Sequence, residues 1–302
     1  MKHTLKITII LVIVFLLAQL IGLAVTNEYI DHKKTEETGN VTWVSLPGNI
    51  SRPDVEEGVA FTSILGAILV GTLLVFVLIK FGKVFLWKIW FFLAVVFCLT
   101  VSFAAFIPQL AALGSAIILG IYKIARPTIL IHNLTEIFIY GGLAAVFVPI
   151  LNVYWGFALL LAISLYDAIA VWKSKHMISL AKFQTKSKVF AGLMIPYKRM
   201  KKKPKVKEPV LVKKIKVKTA VLGGGDIGFP LIFSGVVMKE LMLQKPELIG
   251  FLITLLIPIT TSIALLILLI KGKQEHFYPA MPFLTAGCIV GFLLVKLVSF
   301  YI

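Results

Sequence analysis

The chain has 302 residues, of which 59% are hydrophobic and only 15% charged, and its mean hydropathy is +0.97. A soluble domain carries about a quarter of its residues as charges, so this chain has too little polar surface to cover a water-soluble globule. The net charge of +17 does not point to nucleic acid: sixteen of the 31 Lys and Arg fall between Lys173 and Lys218, and most others stand at the ends of apolar runs, as membrane topology signals do.

Nine apolar runs approach the roughly 20 residues that a spanning helix needs: 5–25, 59–79, 87–107, 109–123, 134–151, 153–172, 219–243, 248–270 and 279–300. They predict an all-α, multi-pass protein of the cell membrane with nine transmembrane helices. Lys2 and Lys6 ahead of the first run also fit a cleaved leader. That run is long and no small-residue cleavage site follows, so it is read as a retained helix. Pro108 opens the short fourth run, so helices three and four meet in a tight hairpin. The fifth run passes into the sixth through the short region 149–152. The chain divides into a six-helix part, 1–172, a basic loop, 173–218, and a three-helix part, 219–302. Cys98 and Cys288 both lie in apolar runs and show no metal spacing.

The lysines give an orientation. A cytoplasmic N-terminus puts Lys2, Lys6, Lys80, Lys83, Lys88, Lys123, Arg126, Lys271, Lys273 and the sixteen of the long loop inside. It leaves Lys33, Lys34, Arg52, Lys239, Lys245 and, near the last helix end, Lys296 outside. The positive-inside rule therefore places the N-terminus in the cytoplasm and the C-terminus outside. Within the long loop, PYKRMKKKPKVKEP is a Lys-rich linker suited to anionic lipid headgroups. The β-branched content of VLVKKIKVKTAVL predicts a short strand near 210–217.

Two aspartates stand inside apolar runs, Asp167 in SLYDAIAVW and Asp226 in VLGGGDIGFP. An ionised carboxylate near the bilayer centre costs about 3 kcal/mol on insertion scales, so such acids face a partner or a wet cavity. At 1.5 Å per residue, Asp167 lies about 9 Å deep before Lys173, and Asp226 about 12 Å deep after Lys218. Two consecutive antiparallel helices thus carry acids at similar depths. Facing carboxyl groups cannot both ionise cheaply, so they share a proton. The ionised one takes a proton from water while the other donates to a carbonyl oxygen, and the pair hydrolyses an amide without a metal or nucleophilic side chain.

Gly223, Gly224 and Gly225 clear side chains from the approach to Asp226. A peptide cut inside a membrane must be extended, and its freed backbone groups need protein partners. A strand just ahead of Asp226 supplies them by strand addition. The same glycines also suit a helix-packing surface.

Tyr166-Asp167 resembles the YD motif, and Gly223-Gly224-Gly225-Asp226 the GxGD motif, of the presenilin and signal peptide peptidase family of intramembrane aspartyl proteases. Pro279-Ala280-Met281, opening the ninth run, is similar to that family's Pro-Ala-Leu, and YDAIAVWKSKHMISLA resembles the archaeal members. The resemblance implies nine spanning helices with Asp167 and Asp226 as the catalytic pair. It gives Tyr166 and the three glycines site-shaping roles, and makes Pro279, Ala280 and Met281 the floor of the site. Met281 departs from the family's Leu by a nearly volume-conserving change. The resemblance also implies transmembrane protein or peptide substrates, no cofactor, no metal and no obligate accessory subunit. With the presenilin-like orientation, those substrates have their N-terminus outside.

Other polar residues read as structural. His176 is an interfacial histidine, since no histidine has ligand spacing with an acid. Glu136, near Asn133, is a helix-start acid rather than a third catalytic group. Glu240 beside Lys239 is interfacial, and Trp87, Trp90, Trp155 and Trp172 are boundary anchors. Asn40 and Asn49 head glycosylation sequons. The competing function is a cation or proton channel or transporter, because paired intramembrane acids also mark ion paths. Such a protein is expected to carry an internal repeat, and none is evident. Prepilin peptidases share a GxGD motif but lack the Pro-Ala-Leu helix.

Overall fold

The computed structural model describes residues 4–52, 55–173, 190–197, 219–272 and 278–301. The basic linker, the strand expected at 210–217 and His176 lie outside the described residues. In chain order the elements are α1 (Leu5–Glu28), α2 (His32–Thr38), α3 (Glu57–Lys80), α4 (Val84–Ala104), α5 (Gln109–Ala125), α6 (Ile129–Phe147) and α7 (Val153–Trp172). Then come β1 (Gly192–Pro196), β2 (Thr219–Gly223), α8 (Gly224–Leu241), α9 (Glu247–Thr254), α10 (Leu256–Lys271) and α11 (Met281–Tyr301).

Seven segments among the described residues are long and apolar enough to cross a membrane: α1, α3, α4, α6 with the turn after it, α7, α9 with α10, and α11. Helix α5 has 17 residues and is shorter. Helix α8, with 18 residues, four of them glycine, plus Asp226, is not among the seven. Apolar side chains cover the outside, from Phe85 and Leu110 to Phe300, which is 84% exposed. A bilayer accepts such a surface and water does not.

Local chemistry explains where the elements start and break. Thr128 caps α6 by accepting from the Ile131 N–H at 3.3 Å, and the helix begins at Ile129, five residues ahead of the expected start of the fifth run. Asn152 caps α7 the same way, from the Trp155 N–H at 2.8 Å. The eighth run is two helices because Pro258 has no N–H to offer the Thr254 carbonyl. The seventh run is corrected most: its first residues, 219–223, are strand, and the helix begins only at Gly224. Trp87 is also corrected, since it is buried against Val75 and Phe91 rather than anchored at a surface.

Helix α8 lies in the middle of the molecule, packed by α1, α6, α7 and α11. Its Ile227, Leu231, Phe233, Val236 and Met238 are all buried. Phe233 meets Phe157 of α7 at 4.6 Å between ring centres and Phe292 of α11 at 6.1 Å. Helix α1 is also built into the core, with Leu11, Phe15, Ala18 and Leu23 buried. After α1, Arg52 stacks over Tyr29 and Trp43 at 5.6 Å each. Burial pushes the Tyr29 hydroxyl up to about 12, and that hydroxyl donates to the Val101 carbonyl of α4 at 2.8 Å.

Helices α10 and α11 touch through Gly287 and Gly291, a GxxxG pair that lets two backbones approach. A Cβ at Gly291 would stand 2.7 Å from Ile257 Cα, and one at Gly287 2.8 Å from Thr261 Cα. Gly291→Val is therefore expected to destabilise the protein by about 1–3 kcal/mol through overpacking, read as a lower melting temperature in detergent.

Candidate active site

Strand β2 delivers Asp226. Gly223 ends the strand and caps α8, which makes Asp226 the third residue of the helix. A carboxylate in the first turn is favoured by the positive end of the helix dipole. Its side chain turns back toward Gly223, so a Cβ there would lie 3.2 Å from Asp226 Oδ2. A Cβ on Gly224 would lie 2.8 Å from the Tyr140 hydroxyl. The glycines at this turn therefore make room for the protein's own side chains. Four residues on, Pro230 removes the N–H that would reach the Asp226 carbonyl. The next carbonyl, Ile227, accepts from Gln19 Nε2 of α1 at 2.8 Å.

Asp167 comes from α7 and is 6% exposed. Its Oδ2 accepts a hydrogen bond from the Met281 backbone N–H at 3.1 Å. One turn away, the Ser164 and Thr285 hydroxyls bond at 2.6 Å, so α7 and α11 are tied at two levels. Pro279 is buried and Ala280 half-buried, and together they lead the chain into α11 so that the Met281 N–H points at Asp167. Pro282 takes the second helical position, where its missing N–H breaks no helical bond.

Tyr166, Asp167, Gly223, Gly224, Gly225, Asp226 and Met281 all line one cavity of about 540 Å³. Its other walls come from α3, α4, α6 and the residues just before β1. The structure thus brings together seven of the nine residues singled out in the sequence. Pro279 and Ala280 are not among the lining residues and stand just behind Met281. No cluster of three His, Cys, Asp or Glu able to hold a metal occurs among the described residues.

Glu136 needs correction. It is not a helix-start acid but lies two turns inside α6, 1% exposed, and it lines the same cavity. Its Oε1 is 2.6 Å from Lys123 Nζ of α5, and Lys123, counted among the inside-loop charges, is itself only 3% exposed. Lys123 also donates to Thr135 Oγ1 at 2.9 Å. The Tyr140 hydroxyl donates to Glu136 Oε2, which also accepts the Gly192 N–H at 2.9 Å. The signal for this network was in the sequence. Lys123 closes one apolar run and Glu136 is the third residue of the next, and Glu136 and Tyr140 are four residues apart on one helix face. Lys123→Met leaves a buried carboxylate unpaired and is expected to cost about 3–5 kcal/mol. The double variant Lys123→Met/Glu136→Gln, which removes the lone charge and keeps an acceptor for the Gly192 N–H, is expected to recover part of that in a melting experiment.

Two acids from neighbouring helices at one cavity, in a helical bundle with several apolar spans, define a class: polytopic membrane proteins with a carboxyl-lined site. Sequence comparison narrows the class. Residues 9–301 match the family described as signal-peptide peptidase, presenilin aspartyl protease, and the chain belongs to that family. It is a multi-pass membrane protein and an intramembrane aspartic protease, a hydrolase. Its fold is similar to two solved structures, each described as a presenilin family intramembrane aspartate protease, one in space group C222 and one in P2. One gives a TM-score of 0.63 at 18% identity, covering 96% of this chain and 99% of the other. The second gives 0.59 at 18% identity, covering 98% of each. Among curated proteins, none matches its sequence.

Proposed function

We propose that Asp167 and Asp226 are the catalytic dyad and that the protein cuts peptide bonds within or near the transmembrane segments of other membrane proteins. The observation that carries this reading is the single cavity that both aspartates line, with the Met281 N–H on one of them and a strand leading into the other. The ionised member takes a proton from water as the water oxygen attacks the scissile carbonyl carbon. The protonated member donates to the carbonyl oxygen. The tetrahedral intermediate then collapses: the C–N bond breaks as the leaving nitrogen takes a proton from the pair, and one hydroxyl of the intermediate returns its proton to the pair as the carbonyl re-forms, which restores the shared proton. The proton belongs to the pair rather than to either aspartate.

Tyr166, Gly223, Gly224 and Gly225 shape the substrate side of this site, and Pro279, Ala280 and Met281 its floor. The strand that receives the unwound substrate is β2, directly ahead of Asp226. The chain crosses the membrane nine times, with α5 and α8 as the two spans beyond the seven that length and apolarity mark. Its N-terminus is cytoplasmic, and its substrates have their N-terminus outside. The enzyme works without an accessory subunit, metal or cofactor.

The test is purified protein in detergent with a tagged single-span substrate, the products mapped by mass spectrometry. A cut inside the span, lost on reversing the orientation of the span in proteoliposomes, is the expected result. Absence of cutting across several substrates overturns the reading and makes ion or proton flux into liposomes the next measurement.

A further inference from the structure

Strands β1 and β2 are antiparallel, with Leu193 opposite Leu222, Met194 opposite Val221 and Ile195 opposite Ala220. The Gly224 N–H reaches the Ala191 carbonyl at 3.1 Å, which fixes the alternation. Leu193 and Ile195 bond to β2, while the main-chain groups of Gly192 and Met194 face away from it. An outward row of this kind is ordinarily an open edge that accepts another strand.

Here one helix fills it. Asn133 Oδ1 accepts the Met194 N–H at 2.9 Å, and Asn133 Nδ2 donates to the Met194 carbonyl at 2.8 Å. Glu136 Oε2 accepts the Gly192 N–H at 2.9 Å, and His132 Nε2 donates to the Gly192 carbonyl at 2.7 Å. All four outward groups of these two residues are satisfied. With Nε2 as donor, His132 Nδ1 is left as the acceptor, and it faces Lys123 Nζ at 3.4 Å. The same ammonium holds Glu136 Oε1 at 2.6 Å. A buried cation thus locks two of the three side chains from behind. On β2 the register turns the main-chain groups of Val221 away from β1, and the Val221 side chain is 45% exposed.

We propose that His132, Asn133 and Glu136 of α6 stand in for a third strand along the outer edge of β1, closing it so that an unwound substrate adds only to β2, at the edge that leads to Asp226. Asn133 and Glu136 are on this account positioning residues that set which substrate bond reaches the dyad. The inference rests on strand addition beside Asp167 and Asp226.

Asn133 is the residue to change, because it carries the clamp on Met194 alone and bears no charge. Asn133→Leu and the smaller Asn133→Ala are compared with wild type in two measurements. Without substrate, hydrogen exchange of segment 190–197 is expected to rise about tenfold or more in both variants, since β1 loses two of its edge bonds. With substrate, KM is expected to rise by about fivefold or more while kcat changes less. Secondary cuts are expected two residues from the main one, because a slip of two keeps each side chain on its own face. A residue that only stabilised the fold would lower the active fraction and leave KM and the cut position alone. Unchanged exchange in both variants removes the clamp, whatever happens to catalysis. Raised exchange with wild-type KM and a single wild-type cut removes the positioning role. If wild-type protein cuts nothing while exchange rises, the dyad reading has failed, and the positioning role falls with it.

Discussion

Asp167→Asn and Asp226→Asn are each expected to reduce cleavage by on the order of 10³-fold or more, with the fold retained. Asn keeps the shape of Asp but can neither take a proton from water nor give one to a carbonyl. In Asp167→Asn the side-chain amide still presents an oxygen to the Met281 N–H, so the start of α11 keeps its hydrogen bond. Asp167→Ala is different. It removes the acceptor as well and leaves that buried N–H unpaired, at a cost of about 1–3 kcal/mol. The measurement is product formation together with a melting curve for every variant. Two inactive Asn variants that melt like wild type mean one dyad. If either Asn variant still cuts at a wild-type rate, that aspartate is not part of the chemistry.

Gly192→Ala is expected to cost on the order of 10²-fold in kcat/KM, the scale of a small misplacement near reacting groups. Gly192 has φ +137°, a conformation that L side chains rarely adopt. A Cβ there would fall on the Leu222 carbonyl oxygen, far inside contact distance, and 2.7 Å from the Phe190 ring. Gly192 is the partner of Gly223 in the hairpin and is held by Glu136 and His132 of α6. Pushing it away opens the hairpin at the end that delivers Asp226. The readout is kcat/KM at a temperature where the variant is folded, alongside hydrogen exchange of segment 219–223. Wild-type activity in a folded Gly192→Ala variant would show that the hairpin end does not position Asp226.

Much of the site was legible in the sequence. Asp167 and Asp226 stood out because a carboxylate in an apolar run is costly and needs a reason. Their depth, counted from flanking lysines, agrees with one cavity lined by both. Met281 was found through its motif, and its backbone N–H meets Asp167. The same cost argument applied to Lys123 and Glu136, but each stood close enough to the end of its run to be read as a boundary charge. Periodicity does not tell a charge at a helix end from one buried two turns inside a helix that begins earlier. The strand ahead of Asp226 was expected from β-branched residues at 210–217. Thr219–Gly223, where β2 runs, read instead as the start of a spanning helix.

By itself the sequence determined that the chain belongs in a membrane, roughly where its apolar runs lie, and that consecutive runs carry acids six and eight residues from the lysines at the ends of the basic loop. These follow from local quantities: hydropathy, the spacing of lysines, and the price of an isolated charge. Only the tertiary structure decided that Thr219–Gly223 pairs with Gly192–Pro196, across the whole basic linker. It also decided that α6 closes the outer edge of that hairpin, and that Gln19 of α1 reaches the Ile227 carbonyl of α8, 208 residues on. A backbone group buried away from water must find a partner. Which side chain serves depends on which helix the fold sets beside it, and no local pattern carries that information.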